Sequence, residues 1–310
     1  MIFDKFVGQE FVKNKLKFYL ESHKRTSTVP FLLFVGAAGL GKTEFAREFG
    51  KNMTSSSPEK RKFIEINSST VKTLNQFLSE VYAPHIQDKE VTIFFDEAHA
   101  LPSQLVNAFL SIFDGENPTF KDFQYGDSSY PFDFTKQSFI FATTESDKIF
   151  APLRDRLTIV NFDSYKIDEL GEIFTSKLKD IHFELDALEF LCSSFRGNAR
   201  NCVSLIKDTN NYAKNKGIRT FSIDNAKALC NTLGIFPQGL SQIEWRILNI
   251  LNKDGRSSLQ SLAAKTGLSR SALQKHHENF LLYKGFMEID GQRVITQKGK
   301  KFIQNNQIND

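Results

Sequence analysis

Gly36-Ala37-Ala38-Gly39-Leu40-Gly41-Lys42-Thr43 spells G-x-x-x-x-G-K-[ST]. Glycines at Gly36, Gly39 and Gly41 let backbone amides curl around a phosphate, and a helix opening at Lys42 adds its partial positive charge. Lys42 is placed to reach the β and γ phosphates, and the Thr43 hydroxyl to ligate Mg²⁺. Further along, Ile93-Phe94-Phe95-Asp96-Glu97 runs apolar and ends in two acids. Asp96 would hold Mg²⁺ through water and Glu97 would polarise an attacking water. An Asp-Glu pair alone is an ordinary strand-ending cap; beside a complete phosphate loop it reads as the second half of an ATP–Mg²⁺ site.

Weaker candidates follow. Thr143 and Thr144 end another apolar run, where a polar side chain can position water near a γ phosphate, although packing at a strand end explains them equally well. Arg154 and Arg156 flank Asp155 in Pro152-Leu153-Arg154-Asp155-Arg156. Such a cluster is usually a surface ion-pair group; the functional alternative is an arginine finger supplied to a neighbour's nucleotide. Arg200, in Gly197-Asn198-Ala199-Arg200, opens a helix and could reach the γ phosphate of its own subunit, or simply be solvated.

The elements that must hold these groups can be read from the pattern. Phe31–Val35, Phe63–Ile66, Val91–Phe95 and Ser138–Ala142 are short apolar runs ending at glycine or polar residues, as buried parallel strands do. An amphipathic helix carrying Phe11, Leu16, Phe18 and Leu20 precedes them, and a helix is predicted from Lys42 to about Met53. Strands alternating with helices predict a parallel sheet covered on both faces, with ligands at the carboxyl edge. After about Asp163 the strands stop, and residues 167–233 read as amphipathic helices broken at Gly197-Asn198 and Lys216-Gly217. Gly234–Gly239 is a linker by its Gly and Pro content. Helices are then predicted at Gln242–Leu251, Ser258–Lys265 and Ser269–Tyr283, followed by two short strands around Asp290-Gly291, a strong hairpin signal. Three helices and a hairpin make a winged helix-turn-helix. The division is 1–163 for the P-loop α/β domain, 164–235 for a small helical domain and 236–310 for the winged helix.

A chain of 310 residues is long enough for this division and for a substantial core. The net charge is +4, but from Ser241 onward eleven Lys and Arg stand against six Asp and Glu. A basic module on a near-neutral body suggests polyanion contact there, against the plain alternative of a solvated surface. Cys192, Cys202 and Cys230 form no CxxC pair and imply neither a disulfide framework nor a zinc site. With no secretory apolar segment at Met1-Ile2-Phe3-Asp4-Lys5 and no apolar run of membrane-spanning length, the expectation is a cytoplasmic protein with no membrane association.

In their order along the chain these pieces resemble the RuvB family, AAA+ ATPases that migrate Holliday junctions in recombination and repair. The resemblance is carried by Phe3-Asp4-Lys5-Phe6-Val7-Gly8-Gln9-Glu10, Gly39–Thr43, Asp96-Glu97-Ala98-His99, Ala142-Thr143-Thr144 and Pro152–Arg156. Asp168-Glu169-Leu170, Arg196-Gly197-Asn198-Ala199-Arg200 and the winged helix continue it. It implies an AAA+ sheet domain, a small helical lid and a winged helix. It implies that Thr144 is the sensor-one residue, Arg156 the trans-acting finger with Arg154 beside it, and Arg200 the sensor-two arginine. Tyr165 stands near the adenine, and Val7 and Gly8 line its pocket through backbone. It implies a hexameric ring on double-stranded or four-way junction DNA, wing contacts to phosphate by Arg293 and Lys298, and a RuvA-like loader.

The chain departs from the family pattern in several places. Ala37-Ala38 replaces a Pro-Pro, Glu44 follows Thr43, Leu157-Thr158 follows the finger, Gly291 replaces a wing arginine, and the insertion Phe120–Phe134 is shorter than the family's β-hairpin. Three readings compete: a DNA motor, an AAA+ clamp-loader or helicase-loader switch, and a non-motor DNA-binding regulator with a vestigial site. Intact Lys42, Asp96, Glu97 and Arg156 weigh against the last, and a winged helix in place of an oligomerising helical collar weighs against the second.

Overall fold

The computed structural model describes residues 2–53, 61–115 and 118–306; Met1 and 307–310, at the outer limits of the first and third predicted domains, lie outside them. The chain forms two compact units. One runs to Glu169 and includes Gly197–Arg200; the other holds Leu170–Arg196 and the chain from Asn201 onward.

In the first unit, helix α1 (Glu10–Thr26) leads to strand β1 (Leu32–Val35), α2 (Lys42–Asn52) and β2 (Lys62–Asn67). A helical stretch then passes through α3 (Leu74–Gln76) and α4 (Ala83–His85) to β3 (Val91–Asp96) and α5 (Ser103–Ile112). The hairpin β4 (Phe120–Tyr125) and β5 (Ser128–Asp133) follows, then β6 (Gln137–Thr143), α6 (Ala151–Arg154) and β7 (Thr158–Asn161). Five strands form one parallel sheet in the order β2-β3-β6-β1-β7. All seven residues of β6 and the first five of β3 are buried, because helices cover both faces at the centre. That two-sided burial is why these strands read as unbroken apolar runs.

The fifth strand is a correction to the sequence reading. β7 pairs with β1 on the sheet edge and buries only Val160 of its four residues. It therefore lacks the apolar continuity that marks the inner strands. Helix α1 is amphipathic, as expected. Val12, Leu16 and Leu20, four apart, form its buried stripe, while Phe11 and Phe18 are 86% and 64% exposed. At 100° per residue the two phenylalanines lie off that stripe.

The core between sheet and helices is largely aromatic. Phe95 stacks on Phe141 at 5.1 Å, and Phe109 on Phe113 at 4.9 Å. All four are buried, each stabilising the fold by about 1.5–3 kcal/mol of transfer free energy. A second aromatic group fixes the start of the chain: Phe3 and Phe6 pack on Phe45 of α2, and Phe45 meets Phe162 just beyond β7.

Helix α7 (Ile167–Lys177) then leads into a mainly helical segment: β8 (His182–Phe183), α8 (Leu185–Ser193), α9 (Ala199–Lys216), β9 (Thr220–Phe221) and α10 (Ile223–Thr232). Strands β8 and β9 form a two-residue parallel pair within this otherwise helical segment. Cys192, Cys202 and Cys230 are buried free thiols; burial pushes them up to about 12, 12 and 11.

The winged helix comprises α11 (Gln242–Asp254), β10 (Arg256–Ser257), α12 (Leu259–Thr266) and a third helical stretch through α13 (Arg270–Leu273) and α14 (Asn279–Tyr283). The wing β11 (Met287–Asp290) and β12 (Gln292–Ile295) and a last helix α15 (Gln297–Asn305) complete it. Asp290 pairs with Gln292 across Gly291, whose φ of 61° makes the tight reversal. Ser241 and Glu244 start α11 with a reciprocal capping box. Trp245 stacks on linker residue Phe236 at 5.3 Å and meets Phe302 edge-on. No helix among the described residues is long and apolar enough to cross a membrane.

Candidate nucleotide site and winged helix

The sheet register brings three strand ends to one edge. Val35 is level with Thr143, and Phe95 with Phe141, so the residues that follow share that edge: Gly36 after β1, Asp96 and Glu97 at the end of β3, Thr144 after β6. The Gly36 amide donates to the Thr143 carbonyl at 3.3 Å, extending the pairing into the start of the loop.

The loop then turns through Gly39 (φ 79°) and Gly41 (φ 90°) into α2. A Cβ built on Gly39 would lie 2.1 Å from Asn198 Oδ1 and 2.8 Å from Arg200 Cβ. Only glycine fits both that conformation and that approach. The Asn198 amide donates to the Ala38 carbonyl at 2.8 Å, while its Oδ1 accepts the Arg200 N–H at 2.8 Å. One side chain thus ties the phosphate loop to the start of α9 and caps that helix.

Lys42 is buried, and its Nζ donates to the carbonyls of Gly36 and Ala37 at 2.7 and 2.8 Å. Burial lowers its pKa, the charges of Asp96 and Glu97 oppose that, and Arg200 adds to it. Arg200 is thus near enough to act on Lys42 electrostatically, although its own side chain is exposed. Thr43 sits half-buried in the first turn of α2.

Across the edge, Asp96 Oδ1 accepts the Glu97 N–H at 3.0 Å. Glu97 is left-handed (φ 51°), an uncommon conformation for glutamate that turns its carboxylate back along the edge. There it accepts the Thr144 hydroxyl at 3.3 Å, and His99 Nδ1 lies 3.3 Å from the same oxygen. His99 also meets Thr143 Oγ1 at 3.0 Å and Glu145 Oε2 at 3.1 Å. Asn198 and His99 sit at this edge without a role in the sequence reading. Asn198 stood out only as a break, and His99 only as part of a motif.

The opening segment is fixed nearby. Gln9 exchanges two hydrogen bonds with the Asp163 backbone, and Lys13 Nζ donates to the Phe6 carbonyl at 3.0 Å. Val7 and Gly8 lie on that braced backbone, and a Cβ on Gly8 would meet the Glu169 carboxylate at 2.7 Å. Tyr165 is buried, its hydroxyl donates to Leu40 O at 3.3 Å, and burial raises its pKa to about 12. Neutral throughout the physiological range, Tyr165 supports the loop from below.

Arg154 ends α6, half-buried. Arg156 lies just beyond it, and its guanidinium donates to Pro152 O at 3.0 Å and Asp114 Oδ1 at 3.2 Å. Asp114, remote in sequence, gave no signal of this pairing. On the wing, Arg293 is paired within the domain. Its Nε and a second guanidinium nitrogen donate to Glu278 at 2.7 and 3.3 Å. Glu278 is buried, and a buried carboxylate without a partner would be costly. Lys298 is exposed; its Nζ donates to the Lys284 carbonyl at 2.7 Å.

A parallel sheet with a phosphate loop and an acidic pair is common to many families; the winged helix in the same chain is not. A family model described as the Holliday junction DNA helicase RuvB P-loop domain matches residues 1–162, and one described as the RuvB C-terminal winged helix domain matches 237–304. The chain belongs to the RuvB family. Proteins named Holliday junction branch migration complex subunit RuvB are similar along nearly their whole length. That of Thermotoga maritima is 27% identical over 97% of this chain and 90% of its own, and that of Lacticaseibacillus casei 28% identical over 95% and 87%. A solved variant of Thermotoga maritima RuvB superposes with a TM-score of 0.77 at 25% identity, over 97% of this chain and 96% of the other. The P-loop sheet and winged helix are therefore RuvB domains, and the expected fold class holds.

Proposed function

We propose that this RuvB-family chain is an ATP-driven motor that moves the branch point of four-way junction DNA. One observation carries the reading: Lys42, Thr43, Asp96, Glu97 and Thr144 share one sheet edge, in a chain that ends in a basic winged helix.

Each residue has a proposed task. The loop amides from Gly36 to Gly41 cradle the phosphates, and Lys42 leaves its two carbonyls for the β and γ phosphates. The fit is supported by the two left-handed glycines and by an ammonium already held at the loop. Thr43 and Asp96 would hold Mg²⁺, which would neutralise phosphate charge when bound. Among the described residues no group of three or more His, Cys, Asp or Glu side chains could hold a metal alone. That suits a hard cation bound by one carboxylate together with substrate phosphates. Glu97 orients and deprotonates water, with Thr144 holding its carboxylate. Val7, Gly8 and Tyr165 flank the adenine, Arg200 senses the γ phosphate, and Arg156, beside Arg154, stabilises transition-state charge in the next subunit of a hexameric ring. Lys298 contacts DNA phosphate, while Arg293, engaged with Glu278, holds the wing strand in place. The hairpin β4–β5, with Tyr125 exposed at its tip and Phe123 packed against the core, is the proposed docking element for a RuvA-like loader.

The test is branch migration of a synthetic four-way junction with ATP and Mg²⁺, with and without RuvA-like partners. ATP-dependent exchange of arms is expected. Hydrolysis that moves no arms under any partner condition would discard the motor in favour of a loader-type switch.

A further inference from the structure

The motif Arg196-Gly197-Asn198-Ala199-Arg200 contains two arginines, and only Arg200 belongs to the nucleotide unit. Arg196 belongs to the other unit. Its Nε donates to the carbonyl of Gly239 in the linker at 2.7 Å. Its two terminal nitrogens fork onto the carboxylate of Glu244 on α11, one of them at 3.1 Å. Its guanidinium lies 3.9 Å above the ring of Phe280 on α14. Glu244 is fully buried, and His277 stands 3.5 Å from its carboxylate. A planar bidentate fork that also stacks on an aromatic ring is a geometry only arginine makes.

The linker beneath this clamp is held by short local turns rather than by a regular element. Gly234, Gln238 and Gly239 are all left-handed, and its regular pairing is a single bridge between Phe236 and Leu240. Gly239 also approaches the end of α8 closely, where a Cβ would lie 2.4 Å from the Ser194 carbonyl oxygen. Arg196 itself (φ 56°) and Gly197 (φ 70°) are consecutive left-handed residues, a turn at the point where the chain passes between the units.

We propose that Arg196 is a coupling clamp: it locks the winged helix to the lid, so that displacement of the Gly197–Arg200 segment reaches the DNA-binding domain as one rigid movement rather than being absorbed in the linker. Arg196 is thus a positioning residue for force transmission, one turn of chain from a nucleotide-sensing arginine. The inference rests on the proposed motor function, but its geometric content does not.

The experiment uses the full chain with Lys207→Cys and Asp290→Cys, exposed sites on α9 and the wing, spin-labelled for distance measurement with and without ATP. The native thiols are buried and stay unlabelled. In otherwise wild-type protein a single narrow distance distribution is expected, unchanged by nucleotide; in Arg196→Met it broadens. Arg196→Lys, which keeps the charge but loses the fork, is read in the same way should Arg196→Met fail to fold. In parallel, Arg196→Met should hydrolyse ATP within about twofold of wild type, while junction arms moved per ATP fall by about tenfold. A broad distribution in wild type, or a narrow one in the variants, overturns the clamp. So does undiminished movement per ATP. If wild type hydrolyses ATP but moves no junctions, the motor reading fails while the distance measurement still decides the clamp.

Discussion

Replacing Gly39 with alanine tests the phosphate loop at its most constrained point. The new Cβ would sit 2.1 Å from Asn198 Oδ1 on a backbone at φ 79°. A left-handed alanine costs about 1–2 kcal/mol. Expelling Asn198 breaks its hydrogen bond to Ala38, worth about 0.5–1.5 kcal/mol. The sum, about 1.5–3.5 kcal/mol, divides between two readouts. If the loop relaxes into an unstrained shape, ATP affinity falls, by roughly 10- to 300-fold at 1.4 kcal/mol per decade. If the loop holds its shape, the cost appears as lost stability, about 2–4 °C in Tm for each kcal/mol in a domain of this size. Titration of a fluorescent ATP analogue and a thermal melt on the same preparation capture both parts. Gly39→Ala/Asn198→Ala should recover some of the loss, since the clash is gone while the strain remains. An alanine variant whose affinity stays within about threefold and whose Tm stays within about 1 °C would refute the packing argument.

Other outcomes are expected. Glu97→Gln should bind ATP with near wild-type affinity and lose about 100-fold or more in kcat; normal turnover would remove Glu97 from the chemistry. Arg156→Ala should be inactive alone yet restore hydrolysis when mixed with Glu97→Gln subunits, whereas Asp114→Asn, which weakens the guanidinium's tether, should lower kcat about two- to tenfold without changing ATP affinity; failure of the mixture contradicts a trans role. The cysteines, held up to about 12, 12 and 11, favour the neutral thiol when folded, so a thiolate-selective reagent at pH 8 should react at least about 100-fold more slowly than with free cysteine and speed up roughly tenfold per pH unit; rapid modification of native protein would show that the lid opens. Lys298→Ala should reduce the slope of log affinity for duplex against log salt by about 0.9, uniformly across sequences.

The inner sheet was legible because its strands are buried on both faces. Apolar runs ending in Gly36, Asp96 and Thr143 carry both the strand and its polar terminus in consecutive letters. β7 was not legible, since an edge strand with Ile159 exposed and Val160 alone buried has neither an apolar run nor clean alternation. The winged helix announced itself through local signals: Ser caps before each helix, Thr266-Gly267 between two of them and Asp290-Gly291 in the wing. Partners distant along the chain left no trace. Asn198 reaches Ala38 across 160 residues, and Asp114 meets Arg156 across 42. Arg293 stood out through its place on the wing, while its pairing with the buried Glu278, 15 residues away, had no local signal.

Trp245 is the chain's sole tryptophan, and it stacks against the linker through Phe236. Its emission is therefore an optical reporter built into the protein, blind to the aromatic core of the nucleotide unit, whose rings are all phenylalanine and tyrosine. When the winged helix melts or its linker peels away, the indole loses a stacked neighbour and meets water, and its emission should shift to the red. Unfolding followed by tryptophan and by far-UV dichroism on one sample can then separate the two units without labels or truncation. A change in emission on adding ATP would be a direct sign that events at the phosphate loop are felt at the winged helix.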